Sequence, residues 1–136
     1  NISLDGLKNQ LEVNLYSAVN LTQLVLNSKN CSLSTIINIG SVMSLNAMPF
    51  AADYSISKYS FKGWNDSLRE NLRKEGIKVS AIYPGSVNTS SWDGLEVDRN
   101  QMIQATDIAE IVTSILKMSN NSLIEEVRIS PRDFTI

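Results

Sequence analysis

An α/β protein built on a parallel sheet is what this sequence predicts, and three observations carry the prediction. Two long stretches repeat apolar residues at three- and four-residue intervals, as helices do when one face is buried. Short, apolar, β-branched runs alternate with the helical stretches, and strands of that kind sit inside parallel sheets. The resulting order αβαβαβ joins each strand to the next through a helical crossover, for which a right-handed connection is expected.

Ser3 is suited to cap a helix running from about Leu4 to Leu26. Leu4, Leu7, Leu11, Leu15, Ala18 and Val25 give that helix one apolar stripe, and the polar stretch Asn27 to Ser34 ends it. Thr35 to Ile39 reads as a strand buried on both faces. A loop through Met43, Met48, Pro49 and Phe50 leads to a second long helix, about Asp53 to Lys74. Its apolar positions include Ile56, Trp64, Leu68 and Leu72, and Gly76 supplies the stop. Lys78 to Tyr83 is the second strand, closed by a turn at Pro84-Gly85. Ser90 to Gln104 has no periodicity. Ile108, Ile111, Val112 and Ile115 share one face of a helix from Asp107 to Met118, and Glu125 to Ser130 is a third strand that Pro131 ends. No repeat, low-complexity tract or flexible linker interrupts the chain, so residues 1–136 are read as a single unit.

Composition narrows the chemistry. A chain 43% apolar and 19% charged has the balance of a globular protein rather than a disordered one. A net charge of −2 supplies no attraction for nucleic acid or for an anionic membrane, so neither is expected as a partner. No apolar stretch approaches the roughly 20 residues that cross a bilayer, and a cytoplasmic location is the expectation. Histidine is absent, which excludes a Ser-His-Asp triad and a His-based zinc site; no metal is expected. The lone Cys31 excludes an internal disulfide and is read as a small packing residue before the first strand.

Tyr54 and Lys58 are the most informative pair. Four residues apart on a helix, they lie on one face. A phenol with an ordinary pKa of about 10 is a poor base at neutral pH, and a fixed ammonium beside it favours the phenolate. Such a pair can exchange a proton with a hydroxyl or carbonyl group. Alone, the pattern arises by chance in many exposed helices. Here Ser41 ends the run Ser34 to Gly40, thirteen residues before Tyr54, and Asn14 stands twenty-seven residues before Ser41. Pro84-Gly85, with Val87 and Thr89 behind it, closes the next apolar run.

In order and spacing, Leu11-Glu12-Val13-Asn14-Leu15, Ile37-Asn38-Ile39-Gly40-Ser41, Tyr54 to Lys58 and Tyr83-Pro84-Gly85-Ser86-Val87-Asn88-Thr89 resemble the short-chain dehydrogenase/reductase superfamily. The resemblance runs through most of the chain. It implies a Rossmann-like doubly wound parallel sheet of which only the last three strands and their helices are present here. It also implies an NAD(P)-dependent oxidoreductase acting on a small-molecule carbonyl or alcohol. By that resemblance the catalytic residues are Asn14, Ser41, Tyr54 and Lys58. Tyr54 exchanges the proton, Lys58 lowers its pKa and binds the nicotinamide ribose, Ser41 holds the substrate oxygen and Asn14 keeps a water for proton resupply. Tyr54, Lys58, Pro84, Gly85, Val87 and Thr89 are the implied contacts to NAD or NADP.

The family's glycine-rich cofactor turn and its Asn-Asn-Ala-Gly stretch have no counterpart, since the six glycines are scattered. The expectation is therefore a C-terminal portion of the fold whose N-terminal half is missing, leaving Thr35 to Ile39 as an open apolar edge. Homodimer or homotetramer formation through the helices at 4–26 and 53–74 is implied by resemblance only. A truncated, non-catalytic interaction or dimerisation module is the alternative. Trp92, Met102 and Phe50 fall in the family's variable substrate loops, and either line a substrate pocket or belong to the core.

Overall fold

The structure, a computed structural model, describes residues 2–29 and 32–133. Helix α1 (Leu4–Leu11) runs through a π-helical turn (Glu12–Tyr16) into α2 (Ser17–Leu26). Strand β1 (Thr35–Ile39), α3 (Ala52–Arg73), β2 (Lys78–Pro84), α4 (Ala105–Leu116) and β3 (Glu126–Ile129) follow. Short 3-10 turns lie at Val42–Ser44, Ser90–Trp92 and Arg99–Gln101. Ser3 caps α1 as its sequence suggests, its hydroxyl accepting from Gly6 N–H at 2.9 Å. Gly76 ends the turn after α3 at φ 75°, a left-handed conformation that favours glycine. Cys31 lies outside the described residues.

The three strands form one parallel sheet in the order β1-β2-β3, with Ile39 opposite Ile82 and Tyr83 opposite Arg128. β2 is the central strand, and Val79 to Pro84 are all buried. Strand alternation divides its side chains between two layers. Ile82 joins Ile103, Ile108 and Ile115 in an apolar cluster on the α4 side, with Ile37, Val127 and Ile129 packed around it. The other face meets α3. Contrary to its expected burial on both faces, β1 is only half-buried and Ile39 is 52% exposed. The physical reason is position, because among the described residues β1 pairs with β2 alone.

α3 packs differently from its apolar pattern. Its buried residues are Ser55, Ser57, Phe61, Asn65, Arg69 and Leu72; from Ser57 onward they recur at four- and three-residue steps, and four of the six are polar. Ile56, expected inside, is exposed, and so is Leu4 on α1. Polar partners on the sheet explain the choice of face. Asn38 of β1 donates to Asn65 Oδ1 at 2.8 Å. Arg69 donates through Nε to Val79 O and through Nη2 to Glu125 O, both at 3.1 Å, and its Nη1 lies 3.2 Å from Asp66. Lys62 bridges Asp66 at 2.8 Å and Glu126 at 2.7 Å. Burial pulls the Lys62 ammonium down, but hydrogen bonds to those two carboxylates outweigh it and hold its pKa above the ordinary range. Beside this group the Tyr83 phenol is pushed up to about 12 by burial and by Glu126.

Arg69 thus ties α3 to β2 and to the start of β3. Removing it takes a donor from the carbonyls of Val79 and Glu125 and one of the two cations from Asp66 and Glu126, which keep Lys62. Arg69→Ala should destabilise the protein by about 1–3 kcal/mol, the usual cost of taking one partner from buried hydrogen bonds. Arg69→Lys should recover only part, because one ammonium cannot replace the planar fork. Denaturant unfolding of both variants measures the difference.

Asp66 supplies a pH-dependent counterpart. Burial alone would raise its carboxyl pKa, but bonding to Lys62 and the nearby Arg69 charge leave it below the ordinary carboxylate value. A carboxyl lowered in the folded state stabilises fully above its unfolded pKa of about 3.9 and loses that contribution as pH falls through the folded value. Asp66→Asn should therefore be less stable than the parent at neutral pH, and the gap should close below about pH 4. Thermal melts from neutral to acid pH follow it.

Candidate active site

The parallel sheet presents the C-terminal ends of its strands on one side, where α/β folds bind ligands. A cleft of about 1170 Å³ opens there, bordered by Ser41 after β1, Tyr54 on α3, and Pro84, Gly85, Val87 and Thr89 after β2. Six sequence-predicted residues therefore line one space. Asn14 and Lys58 are not among its lining residues.

Ser41 owes its position to the strand ladder. Gly40 N–H donates to Ile82 O at 2.8 Å, carrying the pairing one residue beyond β1. A Cβ at Gly40 would fall 2.8 Å from the Tyr83 ring and 3.4 Å from Phe61, so only glycine fits between strand end and core. Ser41 then caps the 3-10 turn Val42–Ser44 in extended conformation, its Oγ accepting from Met43 N–H at 3.2 Å. Ser44, the competing hydroxyl of this loop, is fully buried instead.

Tyr54 and Lys58 stand one turn apart near the start of α3. Lys58 Nζ lies 5.3 Å from the centre of the Tyr54 ring and 5.9 Å from that of Phe61, within cation–π range of both. It makes no ion pair among the described residues, and burial lowers its pKa. Tyr54 lines the cleft, and its hydroxyl makes no hydrogen bond among the described residues.

Asn14 sits in the π turn, where Ser17 N–H reaches back five residues to Glu12 O. Turns of this kind often mark functional sites in helices. Its amide donates to Gln10 Oε1 at 2.8 Å and to Ser57 Oγ at 3.0 Å. Ser57 in turn donates to the Tyr54 carbonyl at 2.8 Å. Asn14 is thereby fastened beneath the turn that carries Tyr54 and Lys58. Ser57 was invisible to sequence reasoning, because a serine inside a helix carries no pattern until its partner is known.

After β2, Gly85 N–H donates to Ile129 O at 2.8 Å, and a Cβ there would sit 2.9 Å from Pro131. Val87 forms a parallel bridge with Ile103. Of the three residues whose place the sequence left open, Trp92 lines the cleft, Met102 is 4% exposed in the core, and Phe50 is 79% exposed outside the cleft wall. Among the described residues no group of three or more His, Cys, Asp or Glu is arranged to hold a metal ion. No helix of the described residues is long and apolar enough to cross a membrane.

The likeness to known proteins agrees with this arrangement. The 3-amino-tetrahydro-pyrrolizinone reductase of Xenorhabdus hominickii is 30% identical over 128 residues, 94% of this chain and 39% of the relative. A 4-hydroxyisoleucine dehydrogenase mutant complexed with NADH and succinate shares the fold with a TM-score of 0.80 at 23% identity, over 96% of this chain and 60% of that one. A short chain dehydrogenase from Burkholderia cenocepacia in complex with NADP does so with a TM-score of 0.75 at 20% identity, over 90% and 50%. The chain thus spans between 39% and 60% of the length of these three proteins. A family model described as short chain dehydrogenase matches residues 1–100, the stretch that holds Asn14, Ser41, Tyr54, Lys58 and the Pro84-Gly85 turn. With its sheet, its strand-end cleft and its sequence all agreeing, the chain belongs to the short-chain dehydrogenase family.

Proposed function

We propose that this chain is the catalytic portion of an NAD(P)-dependent oxidoreductase that interconverts a carbonyl compound and its alcohol. The observation that carries the reading is Tyr54 on the cleft wall, its hydroxyl uncommitted, with the Lys58 ammonium one turn away. Ser41 faces the same space from the end of β1. Bound in the cleft, the nicotinamide supplies or accepts the hydride.

In reduction, Tyr54 gives its phenolic proton to the substrate oxygen; in oxidation it takes that proton back. Lys58 stands beside the proton donor, its Nζ 5.3 Å from the centre of the Tyr54 ring. The Ser41 hydroxyl donates to the substrate oxygen as charge develops on it. Asn14, tied through Ser57 to the backbone of Tyr54, holds the π turn against the catalytic turn; the water it keeps returns the proton from solvent.

The residues present fit the nicotinamide half of the cofactor. Lys58 has no ion pair among the described residues, which leaves its ammonium for the ribose hydroxyls, and Pro84, Gly85, Val87 and Thr89 border the cleft where the ring would lie. Pyrophosphate is ordinarily gripped by backbone N–H groups at a glycine-rich helix start, and these residues contain no such turn. That grip is proposed to lie outside residues 1–136.

α1, α2 and the π turn expose Leu4, Val13, Tyr16, Leu21 and Leu24, and α3 exposes Ile56 and Tyr59. These faces support assembly with a second copy through the helices at 4–26 and 53–74. The same faces are what a non-catalytic dimerisation module would use.

Tyr54→Phe in the full-length protein removes one oxygen and little volume. It should lower kcat for carbonyl reduction by about 10²–10⁴-fold, the usual worth of a positioned general acid, and leave cofactor affinity near the parent value. Lys58→Ala should impair both. Near-normal turnover of Tyr54→Phe in a steady-state assay of cofactor oxidation would refute the mechanism.

Residues 1–136 purified alone should bind NADH or NADPH very weakly, because only the nicotinamide half has contacts here. Titration of reduced cofactor, followed by its fluorescence, reads the affinity. Micromolar binding would mean that these residues build a phosphate site of their own.

A further inference from the structure

Two walls flank the approach to Ser41 and Tyr54. One carries Met48 from the loop after β1, and the other carries Ser91, Trp92 and Leu95 from the segment after β2. Leu95 is 59% exposed, an apolar side chain turned to the cleft with little packed over it. Among the described residues that line the cleft none is Asp, Glu, Lys or Arg.

Arg99 belongs to the segment that forms the second wall, and its guanidinium is spread over three acceptors. Nε donates to Asn88 Oδ1 at 2.7 Å, Nη1 pairs with Asp93 at 2.9 Å, and Nη2 donates to the Thr89 carbonyl. Asn88 also donates to Gln104 Oε1 at 3.0 Å, and Gln104 Nε2 to Met102 O at 2.9 Å. Backbone bonds from Asn88 N to Ile103 O and from Ile103 N to Ser86 O close the same neck. Residues 89 to 104 thus form a compact loop with its ends fastened together, in the manner of an Ω-loop. The staple sets the height of Trp92 and Leu95 and commits all three guanidinium nitrogens of Arg99 to acceptors of the loop itself. Lys58 lies outside the cleft lining, where the proposed mechanism needs its charge for Tyr54.

An anionic group bound between these walls would lose water and gain no counter-charge, a costly exchange. From this arrangement, and resting on the oxidoreductase reading above, we propose that the substrate is an uncharged, largely apolar carbonyl compound or its alcohol. Its apolar part is seated between Met48 and the Trp92–Leu95 wall, and Leu95 is a specificity-determining residue.

The test compares acetophenone with phenylglyoxylate, which differ by a methyl group against a carboxylate beside the same carbonyl. Binding to the full-length protein in the presence of the oxidised cofactor is read by isothermal titration calorimetry, so it requires no turnover. Acetophenone should give a saturable change with a Kd lower than that of phenylglyoxylate by about tenfold or more. Leu95→Arg, at an exposed position that a long side chain can occupy without disturbing the core, should move that ratio toward the keto acid by about tenfold. Tyr54→Phe should keep the preference while losing turnover. Equal or tighter binding of phenylglyoxylate, an unchanged ratio in Leu95→Arg, or no saturable signal from either probe would each overturn the proposal. Correct binding preference without turnover in the parent would instead remove the oxidoreductase reading and leave the ligand class standing.

Discussion

Everything at the site hangs on a central strand that has no water on either face. β2 must satisfy its backbone entirely with neighbours, because an unpaired buried N–H or C=O costs as much as a lost hydrogen bond. β1 and β3 meet that demand in parallel, which brings their C-terminal ends to the same side. Ser41 follows β1 one residue past the last ladder bond, and the Pro84-Gly85 turn follows β2 beside it. Neither residue is placed by local preference. Both are carried there by register, and a slip of one residue would turn Ser41 away from the cleft.

α3 links that sheet to the chemistry by using one helical face for two purposes. Near its start the face offers Tyr54 to the cleft, and farther along the same helix buries Asn65 and Arg69 against the sheet. The anchoring bonds to Val79 O, Glu125 O and Asn38 fix the rotation of the helix about its axis. A helix held in rotation at one end presents a fixed side chain at the other, since successive turns are rigidly coupled. Polar packing far from the cleft is therefore part of how Tyr54 is aimed.

Much of this was legible in the residues. The strand at Thr35–Ile39, the long helix after it and the Pro84-Gly85 turn follow from β-branching, periodicity and turn chemistry; Ser41 and Tyr54, singled out by their spacing, line one cleft, while Lys58 stands a turn from Tyr54 outside its lining. What escaped had physical reasons. Apolar periodicity proposed Ile56 and Trp64 for the buried face of α3, but pairing with Asn38 and with β2 carbonyls chose Asn65 and Arg69. Met102 and Phe50 were indistinguishable as pocket or core because an aperiodic segment gives no face to read. One went to the core and the other to solvent. The Arg99 staple was hidden because its acceptors lie up to eleven residues away in a stretch without a pattern.

The π turn at Glu12–Tyr16 has a consequence of phase. Each residue of an α-helix advances the side chains by about 100° around the axis, and a π turn accommodates an additional residue in its loop of hydrogen bonds. The stripe that α1 lays down is thus out of step with that of α2, as two gears offset by a tooth. Asn14 stands at the offset and locks it by gripping Ser57. A deletion of one residue between Glu12 and Tyr16 would therefore act as a rotation, swinging all of α1 against α3 without removing any contact residue from it.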